Sequence, residues 1–149
     1  MNEQIWFGGG LMTFKVTSEQ SGGDFIVCED VMPKGKTTPL HLHATFDETI
    51  YLVEGELLVH LDGVEQAVSS GMVVTAPRGV PHAFLVTSDE ARVVVFITPG
   101  DVSEAFFRAG GDPVISPDDE PPPLDIAKVT KAGEDTGGMK VLGPPPFAR

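Results

Sequence analysis

The sequence is poor in several residue types that mark common protein classes. It contains one cysteine, one tryptophan and one tyrosine, and only 10 lysines and arginines against 22 aspartates and glutamates, for a formal net charge of −12. A single cysteine excludes an intramolecular disulfide. The shortage of basic residues argues against a nucleic-acid partner and against docking on anionic membranes, because both depend on clustered lysine or arginine.

Long apolar runs and targeting segments are also missing. No stretch approaches the ~20 apolar residues of a membrane-spanning helix. The first residues, Met1–Trp6, lack a basic region followed by an apolar segment, so we expect a cytoplasmic protein. The single thiol, Cys28, ends the apolar run Phe25–Cys28, which predicts a buried and unreactive side chain.

Short β-type segments separated by turn residues fill the first two thirds of the chain. Between Ile5 and Thr98 these segments are rich in Val, Ile, Phe, Thr and Leu, with Gly, Asp, Pro or Ser between them. No helical pattern of 10–15 residues separates them, which favours an all-β jelly-roll sandwich or small barrel over a parallel α/β sheet. The predicted strands are Leu11–Thr17, Asp24–Met32, Thr38–His43, Glu48–Glu54, Glu56–Leu61 (followed by a hairpin turn at Asp62-Gly63), Met72–Ala76, His82–Thr87 and Arg92–Thr98.

The composition changes after Gly100. Eight of the 13 prolines follow it, with one predicted helix over Asp101–Ala109 and two helical turns over Asp125–Lys131. This stretch is too short and too poor in apolar residues to build its own core. We therefore expect a single domain over residues 1–149, with a barrel over about 5–99 and a helical, proline-rich appendage over about 100–149.

Three of the four histidines fall in two glycine-delimited stretches beside predicted strands. Side chains alternate along a strand, so His41 and His43 point the same way, and a turn lets Glu48 approach from the next strand. His82 opens a strand after a Gly/Pro-rich turn. Imidazole and carboxylate together suit first-row divalent metals, and six-coordination would leave two open positions. These four residues are the predicted metal ligands.

Other interpretations of the same residues stay open. A His-x-His pair on a strand is often an ordinary surface or core pair, and a histidine after proline can simply begin a strand. Asp47, beside Glu48, could be the inward carboxylate instead. The fourth histidine, His60, is predicted to face solvent from the run Leu57–Leu61.

The two stretches resemble the motifs of the cupin family. The first motif is matched at every spacing by Gly35, His41, His43, Glu48 and Gly55, and the second by Gly71, Pro77, Gly79 and His82. Val86 stands where the second motif has asparagine, which is not usually a metal ligand. The resemblance implies a jelly-roll barrel that holds one divalent metal ion inside it and is often a homodimer.

Further features resemble single-domain relatives of the quercetin 2,3-dioxygenases: a Trp-Phe-Gly-Gly start, Phe-Phe-Arg after the last barrel strand, and a terminal Leu-Gly-Pro-Pro-Pro. This implies a metal-dependent dioxygenase that takes dioxygen and a small aromatic or enol, flavonol-like substrate chelated at the metal. Glu48 would then be both ligand and general base, with a pKa raised by the apolar barrel. The implied metal is Fe, Mn, Ni, Co or Cu.

Alternation also predicts the substrate pocket. Inward His82 implies inward Phe84 and Val86, and inward Glu48 implies inward Ile50 and Leu52, leaving Tyr51 on the opposite face. Phe106 is expected at the barrel mouth, although ordinary core packing would place all of these residues equally well. Two other functions stay open. One is a non-oxidative isomerase or cyclase of a polyketide-like molecule, for which Zn would suffice, and the other is a non-catalytic binding module.

Overall fold

The computed structural model describes residues 2–148, whose regular elements are mainly antiparallel strands. The helices are α1 (Ser18–Ser21), α2 (Asp101–Gly110) and α3 (Ile126–Thr136). None of the helices in this part of the chain is long and apolar enough to cross a lipid bilayer. The strands are β1 (Gln4–Phe7), β2 (Gly10–Val16), β3 (Ile26–Pro33), β4 (Leu40–Leu42), β5 (Asp47–Glu54), β6 (Glu56–Leu61), β7 (Val64–Ser69), β8 (Val73–Ala76), β9 (His82–Val86), β10 (Glu90–Thr98), β11 (Asp112–Pro113) and β12 (Lys140–Gly143).

Two antiparallel sheets form the framework. The larger sheet has the strand order β11-β1-β2-β3-β10-β5-β8, and the smaller has the order β12-β4-β9-β6-β7. From β3 onward the chain crosses repeatedly between the two sheets, with β3, β5, β8 and β10 in the larger and β4, β6, β7 and β9 in the smaller, as in a jelly roll. The all-β jelly-roll prediction is confirmed, with the two sheets remaining separate and not closed into a continuous barrel.

Alternation along the long strands builds the core. On β3 the residues Ile26, Cys28 and Met32 are buried while their neighbours are half-buried, and on β10 the buried set begins at Ala91 and continues to Ile97. The predicted hairpin turn after β6 is present, since Asp62 and Gly63 have φ angles of 49° and 83°. Strand β7 was not predicted, because only Val68 of its residues is buried, which leaves no alternating pattern.

The segment after Gly100 packs against the sheets more closely than the word appendage implies. Helix α3 continues past the predicted end at Lys131, because Ala132 is buried and packs into the core cluster. Strand β12, which was not predicted, pairs with β4 so that Val141 lies opposite His41. The chain after Gly100 therefore adds a strand to the sheet that carries the histidines.

Candidate metal centre

Strands β4 and β9 bring the three predicted histidines together. His41 and His82 are register partners across these strands, and His43 follows β4 on the same face as His41. All three are buried, with exposed fractions of 3–5%. Their ligand nitrogens lie within 4.8 Å of one another. This cluster could hold one metal ion.

Backbone carbonyls fix how each imidazole presents its nitrogens. A carbonyl oxygen can only accept, so a ring Nδ1 that bonds to one must carry the proton, which leaves the lone pair on Nε2. This is the usual arrangement around histidine ligands of a metal. The bonds run from His41 to Pro39 (2.7 Å), from His82 to Val80 (2.9 Å) and from His43 to Gly138 (2.7 Å). All three Nε2 atoms are thereby free to face the cluster.

Glu48, and not Asp47, supplies the inward carboxylate. Its Oε1 lies 3.5 Å from His82 Nε2 and 4.0 Å from His43 Nε2, and its side chain is 13% exposed. Asp47 points outward and accepts hydrogen bonds from the backbone N–H and the guanidinium of Arg78, at 2.8 and 3.1 Å. The alternative that Asp47 is the inward carboxylate is therefore wrong.

The protonation of the cluster follows from burial and from mutual charge. Burial lowers the pKa of His41 to about 3 and also lowers the pKa of His43. Burial acts in the same direction on His82, but the adjacent Glu48 carboxylate outweighs it and raises the pKa of that ring. Burial would raise the pKa of Glu48, but the His82 ring, whose Nε2 lies 3.5 Å from Oε1, and the charges of the other histidines outweigh it and lower the pKa to about 2. The prediction that Glu48 has a raised pKa is therefore wrong. It considered only the apolar surroundings of the carboxylate and not the neighbouring imidazoles.

The donor set matches what a divalent metal requires. Among the described residues, the buried Nε2 of His82 has no hydrogen-bond partner. A buried nitrogen without a hydrogen-bond partner destabilises the folded protein unless a further group binds it. Three neutral imidazole nitrogens and one carboxylate oxygen suit a first-row divalent ion. Coordination by His41, His43, Glu48 and His82 stays a prediction, and the geometry is compatible with it.

A mainly apolar cavity adjoins the cluster. Of the residues predicted to contact substrate, Ile50, Phe84 and Phe106 line it together with His41, His43 and Glu48. Leu52 and Val86 do not line it. Both point inward as alternation predicts, but they are fully buried within the hydrophobic core. Tyr51 is 43% exposed on the opposite face of β5, as expected.

Among the parts of the cavity wall that were not predicted from the sequence, two bear on ligand binding. The first comes from the chain after Gly100, and includes Leu124, Ile126, Val129, Met139 and Pro145. The second is the ion pair of Asp30 and Lys36. Alternation on β3 could have found Asp30, because it falls on the same face as Cys28 and Met32. The other histidine, His60, lies outside the cavity lining, half-buried on β6.

The fold and the site together define a class, a jelly roll with a buried three-histidine, one-glutamate candidate metal centre. Residues 28–98 match the family model described as a cupin domain. The expected resemblance to the cupin family is confirmed, over just under half of the chain. It is 30% identical over 111 residues to a quercetin 2,3-dioxygenase of Bacillus subtilis, an alignment that covers 74% of this chain and 33% of that relative. The chain thus spans about a third of the length of that enzyme.

Solved cupin structures share the fold. A protein of Thermotoga maritima described as a predicted oxalate decarboxylase superimposes with a TM-score of 0.59 at 22% identity, covering 66% of this chain and 92% of that one. An RmlC-like cupin of Shewanella frigidimarina gives a TM-score of 0.58 at 21% identity, covering 66% and 85%. At these identities the likeness concerns the fold alone.

Proposed function

We propose that this protein is a metal-dependent dioxygenase of a small aromatic or enol substrate, of the flavonol type. The observation that carries the proposal is the convergence of three imidazole Nε2 atoms and the Glu48 carboxylate beside an apolar cavity. The similarity to a quercetin 2,3-dioxygenase adds support for oxidative chemistry. The homodimer and the cytoplasmic location inferred from the sequence stay predictions.

A divalent metal in this centre would lower the pKa of a substrate hydroxyl and, if redox-active, would allow reaction with dioxygen. Residues of this chain orient the ligands and shape the cavity around the substrate. The Pro39, Val80 and Gly138 carbonyls hold the imidazoles in the tautomer that can donate to a metal. The apolar wall excludes water and favours a flat aromatic body over a charged one.

Glu48 is the proposed proton acceptor as well as a ligand. Its lowered pKa makes it a weak base, so it can accept a proton only from a hydroxyl that is already acidified. Its Oε1 also lies 3.5 Å from His82 Nε2. A proton taken by Glu48 would therefore remain beside the ligand cluster.

Metal analysis combined with oxygen uptake tests the proposal. Protein purified without chelators should contain about one equivalent of Fe, Mn, Ni, Co or Cu and should consume oxygen when flavonols are added. Glu48→Gln should retain metal and lose turnover, because the amide can still offer an oxygen but cannot accept the proton. Zn alone, with no oxygen uptake after reconstitution with any of the five metals, would overturn the dioxygenase. Unchanged turnover in Glu48→Gln would remove its role as base.

A non-oxidative isomerase or cyclase is the second candidate, and one observation favours it. Such an enzyme needs an acid/base pair besides Glu48, and neither Tyr51 nor His60 lines the cavity. Asp30 and Lys36 do line it. Turnover of a polyketide-like or flavonol substrate under anaerobic conditions with Zn-loaded protein would support this candidate over the dioxygenase.

A further inference from the structure

A buried ion pair lies in the same cavity as the histidines. Lys36 Nζ donates to Asp30 Oδ2 at 2.9 Å, and the two side chains are only 6% and 7% exposed. Asp30 projects from β3 into the interior between Cys28 and Met32. Most other residues of the cavity wall outside the metal centre are apolar. The pair is therefore a separate polar site in a mainly apolar wall.

Fold stability alone does not account for this pair. Removing two charges from water carries a large cost, and a well-packed apolar pair of similar volume is often as stable or more stable. The surroundings nevertheless accommodate the charges. Lys36 Nζ also donates to the carbonyl of Phe7 at 3.2 Å, and a Cβ on residue 10 would collide with Asp30 Oδ1 and lie 2.9 Å from Lys36 Nζ. Glycine at position 10 thus leaves the space that the pair occupies.

The pair retains unused hydrogen-bonding capacity. Asp30 Oδ1 is buried and has no partner among the described residues. The ammonium of Lys36 has three N–H groups, of which Asp30 and the Phe7 carbonyl account for two. A neutral hydroxyl can donate to a carboxylate and accept from an ammonium at the same time. A ligand carboxylate could only accept, and would be repelled by Asp30.

We propose that the Asp30–Lys36 pair binds a hydroxyl group of the ligand, at a point of the cavity wall separate from the metal centre. This deepens the proposed function and rests on it, because the ligand's chelating end would lie at the histidines and Glu48. The preferred substrate would then be an aromatic molecule with a second hydroxyl outside its chelating group. The pair would determine specificity and would take no part in holding the metal.

Two flavonols separate this role from chelation. Quercetin and 3-hydroxyflavone share the chelating 3-hydroxyl and 4-carbonyl, but only quercetin carries further hydroxyls. Their dissociation constants would be measured by absorption titration against Ni²⁺-loaded protein without oxygen, so that no turnover occurs. Wild-type protein should bind quercetin about tenfold more tightly, as expected for one or two hydrogen bonds at a buried charged pair. The variant Asp30→Leu/Lys36→Met, which keeps the branched and the linear side-chain shapes and removes both charges, should erase that preference.

The matched control is Lys131→Met/Asp135→Leu, which removes an exposed lysine–aspartate pair on α3 and should keep the preference. The metal content of all three proteins should be equal. Equal binding of the two flavonols by wild-type protein overturns the inference and leaves the dioxygenase standing, and this comparison needs no variant to fold. A quercetin preference that persists in a folded double variant also overturns it. Failure of both flavonols to bind under any metal loading overturns the proposed function and this inference with it.

Discussion

Two of the three candidate histidine ligands are oriented locally, and the third depends on a distant part of the chain. His41 and His82 each donate to the carbonyl two residues before them, so the motif that carries the ligand also carries its support. His43 donates to Gly138, 95 residues further along the chain. The motif strands thus provide the ligands, while the chain after Gly100 orients one of them and forms part of the cavity wall. A short motif can therefore be complete in sequence and still depend on a remote segment for its geometry.

Removing a ligand from the motif strands should have the largest effect. His82→Ala deletes the buried Nε2 that has no partner among the described residues, so the metal dissociation constant should rise by more than the ~10–100-fold typical of outer-shell changes. Competition with a fluorescent chelator measures it. His60→Ala, which alters a histidine outside the cavity lining, is the control and should bind metal like wild type. Equal losses in both variants would contradict the assignment.

Disturbing the remote support should have an intermediate effect. A Cβ on Gly138 would collide with Phe106, so Gly138→Ala should displace the carbonyl that orients His43 and weaken metal binding about tenfold. Gly143→Ala, on the neighbouring strand β12 with open space around its Cβ, should leave metal binding unchanged. The same titration serves for both variants. Unchanged affinity in a Gly138→Ala protein of normal thermal stability would show that His43 needs no support from this segment.

Much of the candidate metal centre could be predicted from the sequence, but few of the contacts that orient its ligands could. The His-x-His alternation and the fixed spacings identified the four candidate ligands, because strand geometry relates spacing directly to side-chain direction. Gly138 carried no such signal, since its contribution is a backbone carbonyl that any residue possesses. Strand β12 was missed because its first three residues are exposed. Alternation on β3 places Asp30 on the inward face, but nothing in the sequence indicates that its partner is Lys36, six residues later.

Trimming the cavity wall formed by the later segment should affect the ligand and not the metal. Ile126 lines the cavity although it is 65% exposed, so Ile126→Ala should weaken flavonol binding about threefold to tenfold through lost apolar contact. Ile115→Ala, at a residue that is 95% exposed and outside the lining, should have no effect. Flavonol titration in the absence of oxygen measures ligand binding, and metal analysis of the same proteins measures their metal content. A loss of metal in Ile126→Ala would show that this side chain of the segment after Gly100 contributes to metal binding, which we assign to the motif strands.

The smallest expected effect concerns the thiol of Cys28, a buried residue of the cavity wall. Burial, with the charge of Asp30 adding to it, raises the pKa of Cys28 to about 12. The thiolate that reacts with disulfide reagents is therefore scarce in the native protein at pH 8. Reaction with an aromatic disulfide reagent should be very slow in the native protein and fast in denaturant. Rapid reaction of native wild-type protein would show that Cys28 is reachable in the folded state.

We expect one divalent metal ion to be held by the motif strands, at a centre completed by the segment after Gly100. Anomalous X-ray diffraction from crystals grown with Ni²⁺ or Co²⁺ locates such an ion directly. We expect one strong anomalous peak per chain within bonding distance of Nε2 of His41, His43 and His82 and of the Glu48 carboxylate, with His43 Nδ1 still donating to Gly138 O. A peak elsewhere, or none in protein that binds no metal in solution, would contradict it.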